Sequence, residues 1–541
     1  MKKVTGLLLS IIVLNSCQQK EMVDFIITNA NIYTVDSLFS KAQAIAVREG
    51  TFVAVGNHDE VLQAFESNNT IDLGGKTIVP GLIDAHCHFY GLGLNQQIVN
   101  LRGTSSYEEV LEKVSAFQKE RPSNFIQGRG WDQNDWLVKD FPTKQALDEL
   151  FPDIPVALER VDGHAYLVNQ KALDLAGITK NTVIAGGEIV KDAQGDPTGV
   201  LVDAPMGMVD DVMPRPNRAT QIQALKEAEA ICLDYGLTTV HDAGLNRSTI
   251  ELIDSLQQLG GLKIKMYAMI SNNKENLDYY LNRGIIETDR LNVRSVKVYG
   301  DGALGSRGAA LKSPYTDKPD HFGAMITPMD EVDGLATRIA ATEFQMNTHA
   351  IGDSANVVVL RAYDKALNGK SDRRWRVEHA QVVTGDDFDY FENNIIPSVQ
   401  PTHATSDMYW AGLRLGQQRL CGAYAFKTLL NKAGLVALGT DFPVEKVSPF
   451  LTFYAAVARK DLDQYPKGGF QMKDALSREE TLKGMTLWAA YSAFEEKKKG
   501  SIEIGKNADF VVLSHDIMTV HVDTIPKMEA TQVYINGERL K

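Results

Sequence analysis

Two histidines one residue apart, His86 and His88, close the run PGLIDAHCHFY, with Asp84 just before them. In a β-strand, side chains two apart face the same way, so both imidazoles and the carboxylate aim at one point. Imidazoles gathered in this way suit a divalent metal ion, but two do not complete a site. Four further groups stand at the ends of strand-like apolar runs: Lys297 in VKVYGDG, His349 in NTHAIGD, His379 in VEHAQ and Asp441 in GTDFP. Four imidazoles, a carboxylate and a lysine form a donor set for two divalent ions, zinc first among them. An ammonium is no ligand. A desolvated lysine of depressed pKa, however, reacts with carbon dioxide to give a carbamate, whose two oxygens can bridge two metals. With a carbamylated Lys297, an aspartate and a bridging hydroxide, two dications keep one net positive charge to draw a substrate carbonyl oxygen.

Such a set needs a scaffold that brings strand ends together. Eight runs read as strands: TIVPGLIDAHCH, GLTTVHDAG, LKIKMYAMI, RSVKVYGDG, FQMNTHAIGD, WRVEHAQVV, IIPSVQPTH and LVALGTDFP. Helical stretches such as TRIAATEFQ and NVVVLRAYDKAL fall between them, which is the alternation of a parallel α/β architecture. Eight such units predict a TIM (β/α)8 barrel with its site at the C-terminal ends of the strands. The ends of the chain read differently. DFIITNANIYTV, AIAVREGTFVAVG and TIDLGGKTIV near the start, and SIEIGKNADFVVLS and TQVYINGERL near the end, alternate apolar residues with Gly and Asn turns. They predict one small β-sandwich built from both termini, residues 17–80 and 500–541, flanking a barrel over 81–499. A stretch from about 101 to 231 breaks the repeat and reads as an insertion after barrel strand 1, placed to cover the barrel mouth.

Length and composition agree with this plan. The 541 residues are 44% hydrophobic and 23% charged, with a formal charge of -13 and no basic stretch to neutralise phosphates, which argues against nucleic acid. MKK followed by VTGLLLSIIVL and LNSC forms a leader over residues 1–16, too short to span a bilayer. A Cys after a small residue resembles the lipobox of bacterial lipoproteins, which implies cleavage before Cys17 and a lipid anchor on it; an ordinary secretory signal is the alternative. The implied location is the cell envelope, facing periplasm or exterior, with the membrane reached only through the lipid. Cys87, Cys232 and Cys421 are too few and too scattered for a disulfide framework and read as buried small residues.

The same residues carry a family resemblance. PGLIDAHCHF, the strand-4 lysine, the two later single histidines and GTDFP resemble the amidohydrolase superfamily, and more narrowly its amidohydrolase 3, YtcJ-like branch. GRGWDQNDW, RVDGHAYLVN, VKVYGDGALGSRGAAL, EHAQVV and GSIEIGKNADFVVL are similar to that branch as well. The resemblance implies that His86 and His88 hold the more buried metal and His349 and His379 the more exposed one. It also implies that Lys297 bridges and that Asp441 touches metal and water. The implied reaction is hydrolysis of a non-peptide C–N bond in an N-substituted or cyclic amide. Hydroxide attacks the carbonyl, and Asp441 passes the proton to the leaving nitrogen. An ester, lactone or carbamate would serve the same site, and a lipid-anchored binding protein without catalysis is a reading from another class.

Other positions are open at this point. His164 in RVDGHAYLVN reaches the pocket by the resemblance, or packs in the insertion. Trp131 walls the pocket or packs. Asp301 and Arg307, after strand 4, contact substrate, support the metals or form a loop salt bridge. His241, Asp242 and His403 are expected just outside the metal ligands. The partner implied is a small amide substrate; a homodimer is compatible with a sequence that does not set the oligomeric state.

Overall fold

The computed structural model describes residues 20–370 and 372–541; Cys17 and the leader lie outside them. Eight parallel strands form the central sheet in sequence order. They are β1 (Leu82–Cys87), β2 (Leu237–Leu245), β3 (Lys265–Ser271), β4 (Leu291–Tyr299), β5 (Gln345–Ala350), β6 (Arg376–His379), β7 (Ile396–Val399) and β8 (Ala437–Leu438). Backbone bonds just past β8 close the ring: Asp441 N donates to His86 O at 2.8 Å, and His88 N to Phe442 O at 2.7 Å. The approach is close enough to require glycine, since a Cβ on Gly439 would stand 2.4 Å from His86 N. The TIM-type barrel expected from the eight apolar runs is therefore present, with all eight at their expected places.

Helices cover the barrel because the outer faces of its strands are apolar. Val377 of β6 and Trp375 just before it, for example, join one continuous core with Leu360 and Tyr363 of the helix Asp353–Leu367. The inside is unusual. Tyr267, Gln345, Asn347, Arg376, Glu378 and Ser398 are fully buried where branched aliphatic layers are the rule. These polar groups need partners, and they find several in one another, as at the metal centre below.

The two termini form the expected sandwich. One sheet runs Thr51–Gly56, Ala44–Arg48, Phe25–Thr28, Thr70–Asp72. The other runs Glu538–Arg539, Ala530–Ile535, Phe510–Leu513, Thr77–Pro80, Asn31–Tyr33, Lys41–Ala42. Phe25, Ile27, Ile45, Phe52, Ile78, Phe510, Val512 and Tyr534 meet between them. The run TIVPGLIDAHCH, read as one strand, is two. Thr77–Pro80 belongs to the sandwich and β1 to the barrel, and they part at Gly81, whose Cα passes so near Thr238 that a Cβ would meet its Oγ1 at 2.3 Å. Beneath the barrel, the buried Lys265 Nζ reaches Asp509 Oδ2 at 2.7 Å, tying β3 to the C-terminal half of the sandwich.

The insertion has its own six-stranded sheet between Val99 and Asp203, with the helix Tyr107–Glu120 packing Val110 and Val114 on it. It ends earlier than residue 231. The helix Arg218–Asp234 sends Leu225, Ala228 and Cys232 into the barrel core, because it is the cover helix that precedes β2. Cys87 and Cys232 are buried, but Cys421 is exposed just beyond the helix Ala411–Leu420, so its reading as a buried residue is corrected. Among the described residues no helix is long and apolar enough to cross a membrane.

Candidate metal centre

Five of the eight barrel strands deliver their groups to the same end. His86 is fully buried on β1, and His88 follows at the start of the helix Phe89–Asn95. Lys297 lies on β4, His349 on β5 and His379 at the last position of β6. Asp441 follows β8. His379 and Asp441 both take the left-handed backbone region, with φ of 70° and 62°. Non-glycine residues there are uncommon and strained by about 1–3 kcal/mol, and such strain collects at functional sites. The turn aims both side chains inward.

The groups converge closely. Asp441 Oδ1 is 3.2 Å from His88 Nε2 and 3.7 Å from His86 Nε2. Lys297 Nζ is 3.1 Å from His86 Nε2, and the His349 and His379 ring centroids are 4.5 Å apart. His403, third residue of the helix Pro401–Asp407, brings Nε2 within 3.7 Å of Asp441 Oδ2 and stacks on His379 at 5.9 Å. Two sets of donor atoms lie within 4.8 Å of one another: His86, His88 and Asp441, and His379, His403 and Asp441. His403 thus stands nearer the centre than an outer position implies, and it joins His379 where His349 was expected.

The free ring nitrogens need explaining. Among the described residues, His349 Nε2, His403 Nε2 and Asp441 Oδ1 are buried without a hydrogen-bond partner. Buried polar atoms are normally satisfied, so these three fit a cation that the site would gather. Protonation agrees. Burial, the neighbouring His379 and Lys297 hold His349 well below its usual pKa, and burial and His86 do so for His379. Burial, then Lys297, push His86 down to about 4. Burial works against an ionised Asp441, yet His88, then His86 and His379 beside it, outweigh burial and hold its pKa well below the carboxylate range. Neutral imidazoles and an ionised carboxylate are the forms that bind metal. Burial draws Lys297 down to about 8, against the pull of Glu378 and Asp441.

Behind these groups stands a second layer that the motifs did not reveal. Glu378 pairs with His86 Nδ1, with both side chains fully buried. Arg376, also fully buried, grips Glu378 at Oε1 (2.7 Å) and Oε2 (2.9 Å) and donates to Ser398 Oγ at 2.9 Å. Gln400 Oε1 receives His379 Nδ1 at 2.7 Å. Such partners fix the tautomer and the aim of a metal-binding imidazole. Asp84 staples β1 to β8, accepting from His86 N and Thr440 N, both at 3.1 Å, and from Thr440 Oγ1 at 2.7 Å. A signal for Glu378 existed: Arg376 and Glu378 share parity on a central strand, where two opposite charges can only pair. Gln400 directly follows β7, as Asp441 follows β8.

Above the centre lies a cavity of about 250 Å³, walled by His349, His379, His403, Asp441 and Trp410 from the barrel side and by Arg102, Asp132, Arg160, Asp162 and His164 from the insertion. The insertion covers the mouth. His164 reaches this cavity, and the other three residues expected at substrate do not. Trp131 is fully buried in the insertion core, donating to Leu158 O at 2.7 Å, because an indole so placed needs a carbonyl rather than a ligand. Asp301 is fully buried and accepts from Ala310 N, Ile351 N and Gly352 N, which holds the end of β5. Arg307 pairs with Asp317 at 2.9 Å away from the cavity. His241 lies beneath the site, with Nδ1 3.1 Å from Arg376 Nη1. Asp242 accepts from Tyr90 N at 2.9 Å.

A barrel whose strand ends gather imidazoles and a carboxylate under a covered cavity defines a metal-dependent hydrolase. The chain belongs to the amidohydrolase family, whose model matches residues 69–540. It is 32% identical to the putative amidohydrolase YtcJ of Bacillus subtilis, over 94% of this chain and 97% of that one. It is 28% identical to the N-substituted formamide deformylase of Arthrobacter pascens, over 96% and 98%. In structure it is similar to an uncharacterized metal-dependent hydrolase from Pyrococcus horikoshii, with a TM-score of 0.76 and 27% identity over 92% of this chain and 99% of that chain.

Proposed function

We propose that the protein hydrolyses a non-peptide C–N bond, in an N-substituted or cyclic amide, at a pair of divalent ions, zinc by donor preference. His86, His88, His349, His379, Asp441 and a carbamylated Lys297 are the proposed ligands, with His403 beside them. The observation that carries the reading is the group of buried, unpartnered atoms on His349, His403 and Asp441, residues that all line the one cavity. The relative that acts on N-substituted formamides supports the choice of bond. Bound metal would supply an acidified water and polarise a carbonyl. Asp441 takes the proton of the attacking water and returns it to the departing nitrogen, without which an amine leaves poorly. Glu378 and Gln400 hold His86 and His379 in one orientation throughout. The insertion excludes bulk water.

A screen of N-acyl amines, N-formyl compounds and cyclic amides with zinc-loaded protein is expected to give amide turnover; activity on esters alone, or none at all, overturns the reading. Lys297→Ala is expected to lose most of the bound metal and, with it, turnover, and a short carboxylic acid to restore part of the rate by replacing two bridging oxygens. Two metals by elemental analysis and near-normal turnover in that variant would make the lysine structural. The proposed setting is the cell envelope, by a lipid on Cys17, supported by the leader sequence. Cys17→Ala is expected to leave the membrane fraction, and unchanged fractionation would remove the anchor.

A further inference from the structure

The insertion does more than roof the cavity. His164 opens its strand Ala165–Val168, lines the cavity and sets its ring 5.8 Å from that of His349. It belongs to neither donor set at the metal centre. Its Nδ1 lies 2.7 Å from Asp203 Oδ1, at the end of the neighbouring strand Pro197–Asp203. The pair is doubly tied: Asp203 N donates to His164 O at 3.1 Å, and His164 N to Asp162 Oδ1 at 3.1 Å. Asp203 is held with φ of 57°, a strained backbone for aspartate. The barrel makes room for it. In the loop after β4, a Cβ on Gly308 would meet Asp203 Oδ2 at 2.9 Å and one on Gly302 at 3.2 Å. Two glycines of GDGALGSRG thus leave a slot for this carboxylate.

A carboxylate only accepts, so Nδ1 of His164 carries the ring proton and donates it to Asp203. In the neutral ring this leaves Nε2 with a lone pair, on a residue at the cavity wall beside the metal centre. Among the described residues no protein group bonds to that acceptor, and no proposed proton step uses it. A secondary amide placed with its carbonyl at the metals has a hydrogen on nitrogen to offer it. We propose that His164 Nε2 accepts the N–H of the scissile amide, so that the enzyme selects amides bearing a hydrogen on nitrogen over their fully substituted analogues. This assignment rests on the amide-hydrolase reading. Asp203 acts through His164 as a positioning residue, because it decides which ring nitrogen is the acceptor.

The test compares an N-alkylformamide with its N-methyl derivative in alkaline buffer and reads the ratio of the two kcat/KM values. Burial opposes a charged ring, yet the hydrogen bond and charge of Asp203 raise His164 above the usual histidine value, so its neutral ring needs the higher pH. Wild type is expected to favour the N–H substrate by about tenfold, the scale of one hydrogen bond whose loss leaves an acceptor unpaired. His164→Phe is expected to bring the ratio near one with metal content unchanged. Asp203→Asn is the decisive variant, since it keeps shape and keeps His164. Its amide nitrogen can donate to Nδ1 and so admits the tautomer with the proton on Nε2, which Asp203 excludes, and the ratio is expected to fall here too. His164→Gln, which restores an acceptor oxygen, is expected to recover part of it. An unchanged ratio in both His164→Phe and Asp203→Asn overturns the assignment. Loss of metal in His164→Phe also overturns it, by making the histidine a ligand. Wild type that cleaves esters but neither formamide refutes the amide reading itself, and this assignment with it.

Discussion

Asp441→Asn is expected to keep much of its metal while turnover falls about 100- to 10,000-fold, the range of a lost general acid and base. The expectation follows from geometry. Asp441 Oδ1 faces His86 and His88 and Oδ2 faces His403, so an amide oxygen in its place can still approach a metal. An amide cannot take up and release a proton near neutral pH. Metal content by elemental analysis and kcat on the best amide of the screen separate the two roles. Equal loss of metal and rate would make Asp441 a ligand only, and unchanged rate would move the proton transfer to another group.

The second large effect concerns stability. Arg376→Leu is expected to destabilise the fold by about 3–5 kcal/mol, because it strands the Glu378 carboxylate with no guanidinium in a dry interior. Arg376, Glu378 and His86 are all fully buried, and Glu378 stays ionised although burial opposes it, because Arg376 and His86 outweigh the burial. The sign of the pH effect follows. A carboxylate held below its unfolded value stabilises above that value, and this stability drains away as pH falls towards the folded pKa. Arg376→Leu should therefore flatten the acid limb of wild-type stability, measured by urea unfolding at several pH values. The double variant Arg376→Leu/Glu378→Leu should recover much of the stability, since no charge is left unpaired. Metal affinity should not recover, because His86 Nδ1 has lost its partner, a loss worth about 10- to 100-fold. Recovery of both would reduce the pair to packing.

The strands and most ligands were legible because barrel geometry writes itself into sequence. An apolar run ending in polar residues is what a strand buried on its sides and open at its C-terminal end must look like, and five such endings in order define a mouth. Side-chain aim was not legible. The left-handed backbone at His379 and Asp441 comes from tertiary closure, with Asp441 N bonded to His86 O. Trp131 stayed open between two places for a related reason: an aromatic in a polar loop motif can wall a pocket, yet the insertion has a core of its own and claims it. The pairing of His164 with Asp203 had no signal at all, because it joins two strands through residues ordinary in isolation. His403 was visible as a histidine after β7, but its distance from Asp441 depends on a helix start that spacing does not determine.

The sandwich has a consequence for how the chain is made. Thr77–Pro80, which leads straight into β1 and His86, pairs on one side with Asn31–Tyr33 and on the other with Phe510–Leu513. On the ribosome the first neighbour is ready early, and the second only after the entire barrel has been translated. At about 5–20 residues per second the half-built sheet waits for tens of seconds with an open apolar edge, a template for pairing with another chain. Contacts of such long sequence separation also slow folding. A nascent chain stalled before Phe510 already carries every histidine of the metal centre, yet lacks the strand that steadies the approach to His86. The sheet that leads into β1 is thus closed by strands from both sides of the barrel segment, so its last edge is covered only after the whole barrel has been made.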